Sequence, residues 1–176
     1  MKRLGLEHTE IRFSDLDWDR KWLSQLDPDY ADATGDHTIL FPFGRYSAAR
    51  VDEAFRRVIE ESPLFFGRST ARETGRLFAQ IGRGELVSEN ASALAVALLE
   101  KQQVNQRFPR YLPEGVRIAH KTGDGAPWVG NDAGILWVDG EPIVLVVFTG
   151  HHRGTTEALN DAVGRVAEVV AHYYQH

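Results

Sequence analysis

One short run constrains the fold of this chain more than any other: Ile143-Val144-Leu145-Val146-Val147-Phe148. Side chains on a strand alternate between its two faces. A strand that is apolar on both faces has to be covered on both. Leu159, Val163, Val166, Val170 and Tyr173 or Tyr174 fall at helical spacing, and Thr155 precedes them as a cap. That stripe predicts a final helix over one face of the strand. Helices earlier in the chain must supply the other cover. Before the run stands Asp139-Gly140, a favoured hairpin dipeptide, so Ala133 to Val138 and Ile143 to Thr149 read as paired strands. Val116 to Thr122 alternates loosely and reads as a further strand. The fold class is therefore α/β (α+β): an antiparallel meander of about three strands, with a C-terminal helix on one face and a helical region on the other.

The preceding helices can be placed from their caps. Ser47 opens a helix running to about Glu61, with Val51, Phe55, Val58 and Ile59 on one face. Thr70-Ala71-Arg72-Glu73 is a capping box opening a second helix with Leu77, Phe78 and Ile81 inward, closed by Gly82 and Gly84. Ser88 caps a third, carrying Leu94, Ala97, Leu98 and Lys101. Residues 102–115 read as a connector. We expect a single domain over 1–176, with 1–115 mainly helical and 116–176 carrying the strands and the terminal helix.

The first residues are less regular. Leu4-Gly5 after two basic residues is a helix C-terminus signal, which predicts that the chain starts at the tail of a helix. Residues 8–30 read as an acidic loop followed by a short helix. Asp15, Asp17, Asp19, Asp27 and Asp29 are interleaved with Leu16, Trp18, Trp22 and Leu23. The alternating aspartates lack the central Gly and terminal Glu of a calcium loop. Residues 31–45, with Phe41-Pro42-Phe43-Gly44, read as a surface excursion.

Composition narrows the function classes. The chain has 176 residues, 43% hydrophobic and 26% charged, with a net charge of −5. There is no basic stripe of the kind a nucleic-acid surface needs. Its arginines are interspersed with acids and read as solvated helix faces. The absence of cysteine removes thiol catalysis, disulfides and cysteine zinc sites. No signal peptide or membrane span is expected, because the longest apolar run, Pro142 to Phe148, is far too short. Compartment stays open. His151-His152 with His120, His172 or His176 is weighed as a metal site and set aside, since adjacent residues on an extended chain point to opposite faces. No metal or cofactor is expected.

The chemistry concentrates at His120-Lys121-Thr122-Gly123-Asp124-Gly125, where a strand meets a glycine-rich turn. Lys-Thr-Gly there is one of the motifs of penicillin-recognising serine hydrolases. Ser69-Thr70-Ala71-Arg72-Glu73, Gly84-Glu85-Leu86-Val87-Ser88 and Leu112-Pro113-Glu114-Gly115-Val116 precede it in order. A hairpin and a long helix follow. Leu4-Gly5-Leu6-Glu7-His8-Thr9 is similar to the segment after the family's Ser-Asp-Asn motif. From Ser69 to the C-terminus the chain resembles the class A β-lactamase-like serine hydrolases. Between roughly Arg12 and Phe66 there is little to align.

The resemblance implies a site between an α/β part and an all-α part, with this strand as one wall. It implies that Lys121 attracts a substrate carboxylate and keeps nearby protons mobile, and that Thr122 hydrogen-bonds the same carboxylate. Gly123 leaves room for the substrate backbone. The Asp124 N–H takes the place of one oxyanion-hole donor, and Gly125 continues the substrate-binding wall. His120 points away by alternation and reads as packing. The implied partner is a β-lactam or another carboxylate-bearing small molecule. The reaction is hydrolysis through an acyl-serine, and family members are often exported.

The departures from the family pattern are as informative. Ser14, Ser24, Ser47, Ser62, Ser69, Ser88 and Ser92 are followed three residues on by Asp17, Asp27, Arg50, Phe65, Arg72, Ala91 and Ala95. None is the Ser-x-x-Lys in which the amine takes the serine proton. Ser-Asp-Asn is absent, and Ser88-Glu89-Asn90 reads as a helix cap. No Glu-x-x-Leu-Asn precedes Lys121. The arginine often found on the strand next to Lys-Thr-Gly is missing, with Asn131 and Asp132 in that region. This chain alone is therefore expected to lack catalysis. The alternative is a non-catalytic domain that binds a carboxylate, or one that self-associates. By the resemblance, a strand absent here would pair with Ile143 to Thr149. Without it the meander has an open apolar edge.

Overall fold

The computed structural model describes residues 4–12, 14–32, 44–62, 67–125 and 128–175. The chain forms two units, 1–69 and 70–176. Residues 33–43 of the expected excursion and residues 1–3 lie outside the described residues. Gly5 has φ 68°.

In the first unit, α1 (Asp15–Leu23) starts at Ser14. The Ser14 hydroxyl accepts from the Asp17 N–H, and the Asp17 carboxylate accepts from the Ser14 N–H at 3.0 Å. The aspartates of this stretch tie down local structure. Asp19 accepts from the Trp22 indole at 3.1 Å, and Asp27 accepts from the Asp29 N–H at 3.1 Å, at the start of a short 3-10 helix, η1 (Pro28–Asp32). Helix α2 (Ala48–Glu61) is capped by Ser47 as expected. Trp22, Leu23, Leu26, Ala54 and Val58 form a buried cluster, with Trp18 and Phe55 meeting edge to face at 5.2 Å. Strands β1 (Glu10–Ile11) and β2 (Gly67–Arg68) pair antiparallel.

The second unit carries a three-stranded antiparallel sheet in the order β3 (Arg117–Gly125), β4 (Val129–Val138), β5 (Glu141–Val147). Asp139 and Gly140, at φ 50° and 88°, make the turn between β4 and β5. Strand β4 begins at Val129, four residues before the expected Ala133, because Thr122-Gly123-Asp124-Gly125 continues β3 and needs a partner. Its register pairs Lys121 with Ala133, Thr122 with Asp132 and Gly123 with Asn131.

Both faces of β5 are covered. Val144 and Val146 meet Phe78 and Ile81 of α3 (Ala71–Gly82), while Leu145 and Val147 meet Leu159, Val163 and Ala167 of α5 (Thr156–Tyr174). Thr70, Ser88 and Thr155 cap their helices as the sequence suggests, each accepting a backbone N–H three residues on.

Two helix faces differ from the apolar stripes of the sequence. On α4 (Glu89–Leu99), Leu94 and Leu98 are 61% and 59% exposed. The inner face is Ser92, Ala95, Val96 and Leu99. This helix is nearly apolar all round, so period alone cannot orient it. Ser92 does: its buried hydroxyl donates to the Leu86 carbonyl and accepts the Leu86 N–H, both at 3.1 Å. On α5, Val166, Tyr173 and Tyr174 are exposed, and the seam is Leu159, Asn160, Val163, Gly164, Ala167 and Ala171. A short 3-10 helix, η2 (Phe108–Tyr111), lies against this seam. A Cβ on Gly164 would stand 2.9 Å from the Arg107 carbonyl. Small residues admit that approach, and large ones are turned outward.

Candidate active-site wall on strand β3

Strand β3 is an edge strand with β4 on one side. Its Lys121 side chain is exposed, and Nζ donates to the Thr122 carbonyl at 2.5 Å. Beside it runs an open groove of about 520 Å³ bordered by Leu98, Leu99, Lys101, residues 102–104, His120 and Lys121. Two of these residues are lysines and none is an acid, so the groove favours an anion. Thr122 is buried, and its hydroxyl has no hydrogen-bond partner among the described residues. Gly123 lies between them, opposite Asn131. Asp124 and Gly125 complete the strand, with the Asp124 side chain 49% exposed.

On the face opposite Lys121, the His120 ring is buried, and its Nδ1 lies 2.9 Å from Asp132 Oδ1. A carboxylate only accepts, so Nδ1 carries the proton. The second oxygen of Asp132 accepts the Phe108 N–H at 3.2 Å. His120 thus packs away from Lys121, as strand alternation requires. It also locks β3 to β4 and to the segment that leads into η2.

The connector before η2 places a buried arginine at the end of β3. Arg107 has a side chain only 3% exposed. Its Nε donates to Asn160 Oδ1 and its Nη1 to the Asn131 carbonyl, each at 2.9 Å, while Nη2 is ion-paired with Asp124. Arginines interspersed with acids are expected to be solvated, and Arg107 is not. Arg107 could have been singled out, because Arg107-Phe108-Pro109 has no neighbouring acid to pair with and begins a segment with two prolines. Among the described residues no group of three or more His, Asp or Glu side chains is placed to hold a metal ion, and no helix is long and apolar enough to cross a membrane. His152 is engaged locally, its Nε2 lying 3.1 Å from the Thr155 carbonyl.

The similarity to known proteins agrees with this geometry. A family model described as Beta-lactamase enzyme family matches residues 1–174. A β-lactamase from Streptomyces lavendulae is 32% identical over 105 residues, covering 58% of this chain and 34% of that protein. The chain therefore spans about a third of the length of that relative. The crystal structure of a β-lactamase from Sphaerobacter thermophilus matches with a TM-score of 0.54 at 29% identity, over 58% of this chain and 38% of that one. That of a β-lactamase from Chitinophaga pinensis has a TM-score of 0.58 at 17% identity, over 97% and 78%; at that identity the likeness is one of fold. These matches, together with the Lys-Thr-Gly strand, its meander and its terminal helix, place the chain in the Beta-lactamase enzyme family, with a class A β-lactamase-like fold.

Proposed function

We propose that this chain supplies the carboxylate-binding wall of a serine β-lactamase-like acyl-transfer site and does not carry out acylation by itself. One observation supports the reading above others: Lys121 stands exposed on an edge strand beside a groove with Lys101 and no acid. The Lys121 ammonium attracts a ligand carboxylate, and the Thr122 hydroxyl donates to it. Gly123 lets the ligand backbone approach the strand, with Gly125 extending the wall. The Asp124 N–H serves as one of two donors to the developing oxyanion. The acyl-serine would form on a serine paired with a lysine, a motif this sequence does not contain.

A labelled penicillin tests both halves. Incubated with the chain alone, it should leave no covalent adduct by intact-mass spectrometry. It should shift β3 amide resonances reversibly, and Lys121→Ala should remove most of that shift. A stable serine adduct overturns the first half. Shifts that survive Lys121→Ala overturn the second.

A second reading, a non-catalytic domain that self-associates, is favoured by the outer edge of β5. No described strand pairs with it, and Phe148 beside it is 42% exposed. The α5 flank turned away from η2 also exposes Val166, Val169 and Tyr173. Sedimentation equilibrium should show dimers that Val169→Lys weakens. A concentration-independent monomer removes this reading.

A further inference from the structure

Arg107 is buried, yet the anion it pairs with is half exposed at the end of the candidate site. A buried guanidinium needs a negative partner. Here the residue directly after Lys121-Thr122-Gly123 supplies it. We infer that Asp124 is a specificity-determining residue. Its carboxylate neutralises Arg107 and places a negative charge beside the Thr122 hydroxyl, and so weakens the binding of anionic ligands. This inference rests on the carboxylate-binding reading of Lys121 and Thr122, and names how strongly that site selects for charge.

The argument is geometric first. Thr122 and Asp124 are two residues apart on β3, so their side chains share a face and stand about 7 Å apart. Lys121 lies on the other face and bends back to the Thr122 carbonyl. The other two nitrogens of Arg107 donate to Asn160 and the Asn131 carbonyl. These partners are neutral, so Asp124 alone among them cancels its charge. A ligand carboxylate on Thr122 therefore sees Lys121 and Arg107 as cations and Asp124 as an anion close at hand. At that separation, with a dielectric between those of protein and water, one like charge weakens binding about tenfold. Because Asp124 is 49% exposed, salt screens much of the effect. Asparagine at this position keeps an acceptor for Nη2 and removes the charge, which separates electrostatics from the hydrogen bond.

The test compares benzylpenicillin with its methyl ester as probes of the full chain, read from β3 amide shifts by NMR titration. Asp124→Asn and Asp124→Ser should each bind the free acid about tenfold more tightly at low salt. The gain should shrink as salt is added and be absent for the ester. An unchanged ratio of acid to ester affinity, or an equal gain for both probes, overturns the inference. Loss of folding in both variants overturns it too, since Asp124 would then be a structural counter-ion. Failure of the underlying reading looks different: Lys121→Ala would leave the acid affinity at the wild-type value.

Discussion

The His120 ring and the Asp132 carboxylate meet at 2.9 Å with 2% and 0% of their side chains exposed. The pair joins β3 to β4 on the face away from Lys121. It also holds the start of η2, through the Phe108 N–H on the other carboxylate oxygen. Removing the carboxylate leaves a buried ring N–H and a buried backbone N–H without an acceptor. Asp132→Ala should cost about 2–6 kcal/mol in urea unfolding, roughly 1–3 for each orphaned donor. Asp132→Asn keeps an acceptor and should cost less. Equal stability of Asp132→Ala and wild type would show that the pair is not structural.

Gly134 lies opposite His120 across the β3–β4 ladder. A Cβ there would come within 2.6 Å of the Ala119 carbonyl and 2.7 Å of His120 Cβ. Neither is the tip of a flexible side chain, so the strands must part. Gly134→Ala should cost about 1–3 kcal/mol by overpacking. The same substitution at Gly150, where nothing lies within 4 Å, should change stability little. Thermal melts of the two variants make the comparison.

The orientation of α4 can be checked by a pair of substitutions. Ser92→Ala strands the N–H of Leu86 in a partly buried turn and leaves its carbonyl with the Ser88 N–H alone. It should cost about 1–3 kcal/mol. Leu98→Glu falls on the exposed face and should stay within about 0.5 kcal/mol of wild type. The reverse ranking in urea denaturation would restore the face that periodicity suggests.

The Ser14–Asp17 cap of α1 makes stability depend on pH in a stated direction. Hydrogen bonds from the Ser14 hydroxyl and then the Ser14 N–H hold the Asp17 carboxyl below its ordinary value. The unfolded chain therefore binds its proton first as pH falls. The stabilisation is complete above the ordinary aspartate value, about 3.9, and is lost as pH falls below that toward the lowered folded value. The difference in melting temperature between wild type and Asp17→Asn should thus be widest near neutral pH and close in acid. A difference that persists unchanged at low pH would show that charge is not involved.

Much of this protein is local and therefore legible in its sequence. Ser47, Thr70, Ser88 and Thr155 open helices because a short side-chain oxygen satisfies an orphan N–H within one turn. Asp139-Gly140 turns a hairpin because both residues accept positive φ. The run Ile143–Phe148, apolar on both faces, demanded cover on both, and Lys121-Thr122-Gly123 on β3 was visible as a motif with its neighbours in order. Tertiary structure decided what these local rules leave degenerate. The faces of α4 and α5 were set by Ser92 and by the small residues at Gly164, Ala167 and Ala171, since several apolar stripes compete on each helix. The pairing of Arg107 with Asp124 joins residues from a connector and a strand end. It arises only when η2 packs against the sheet and leaves a guanidinium no water to face.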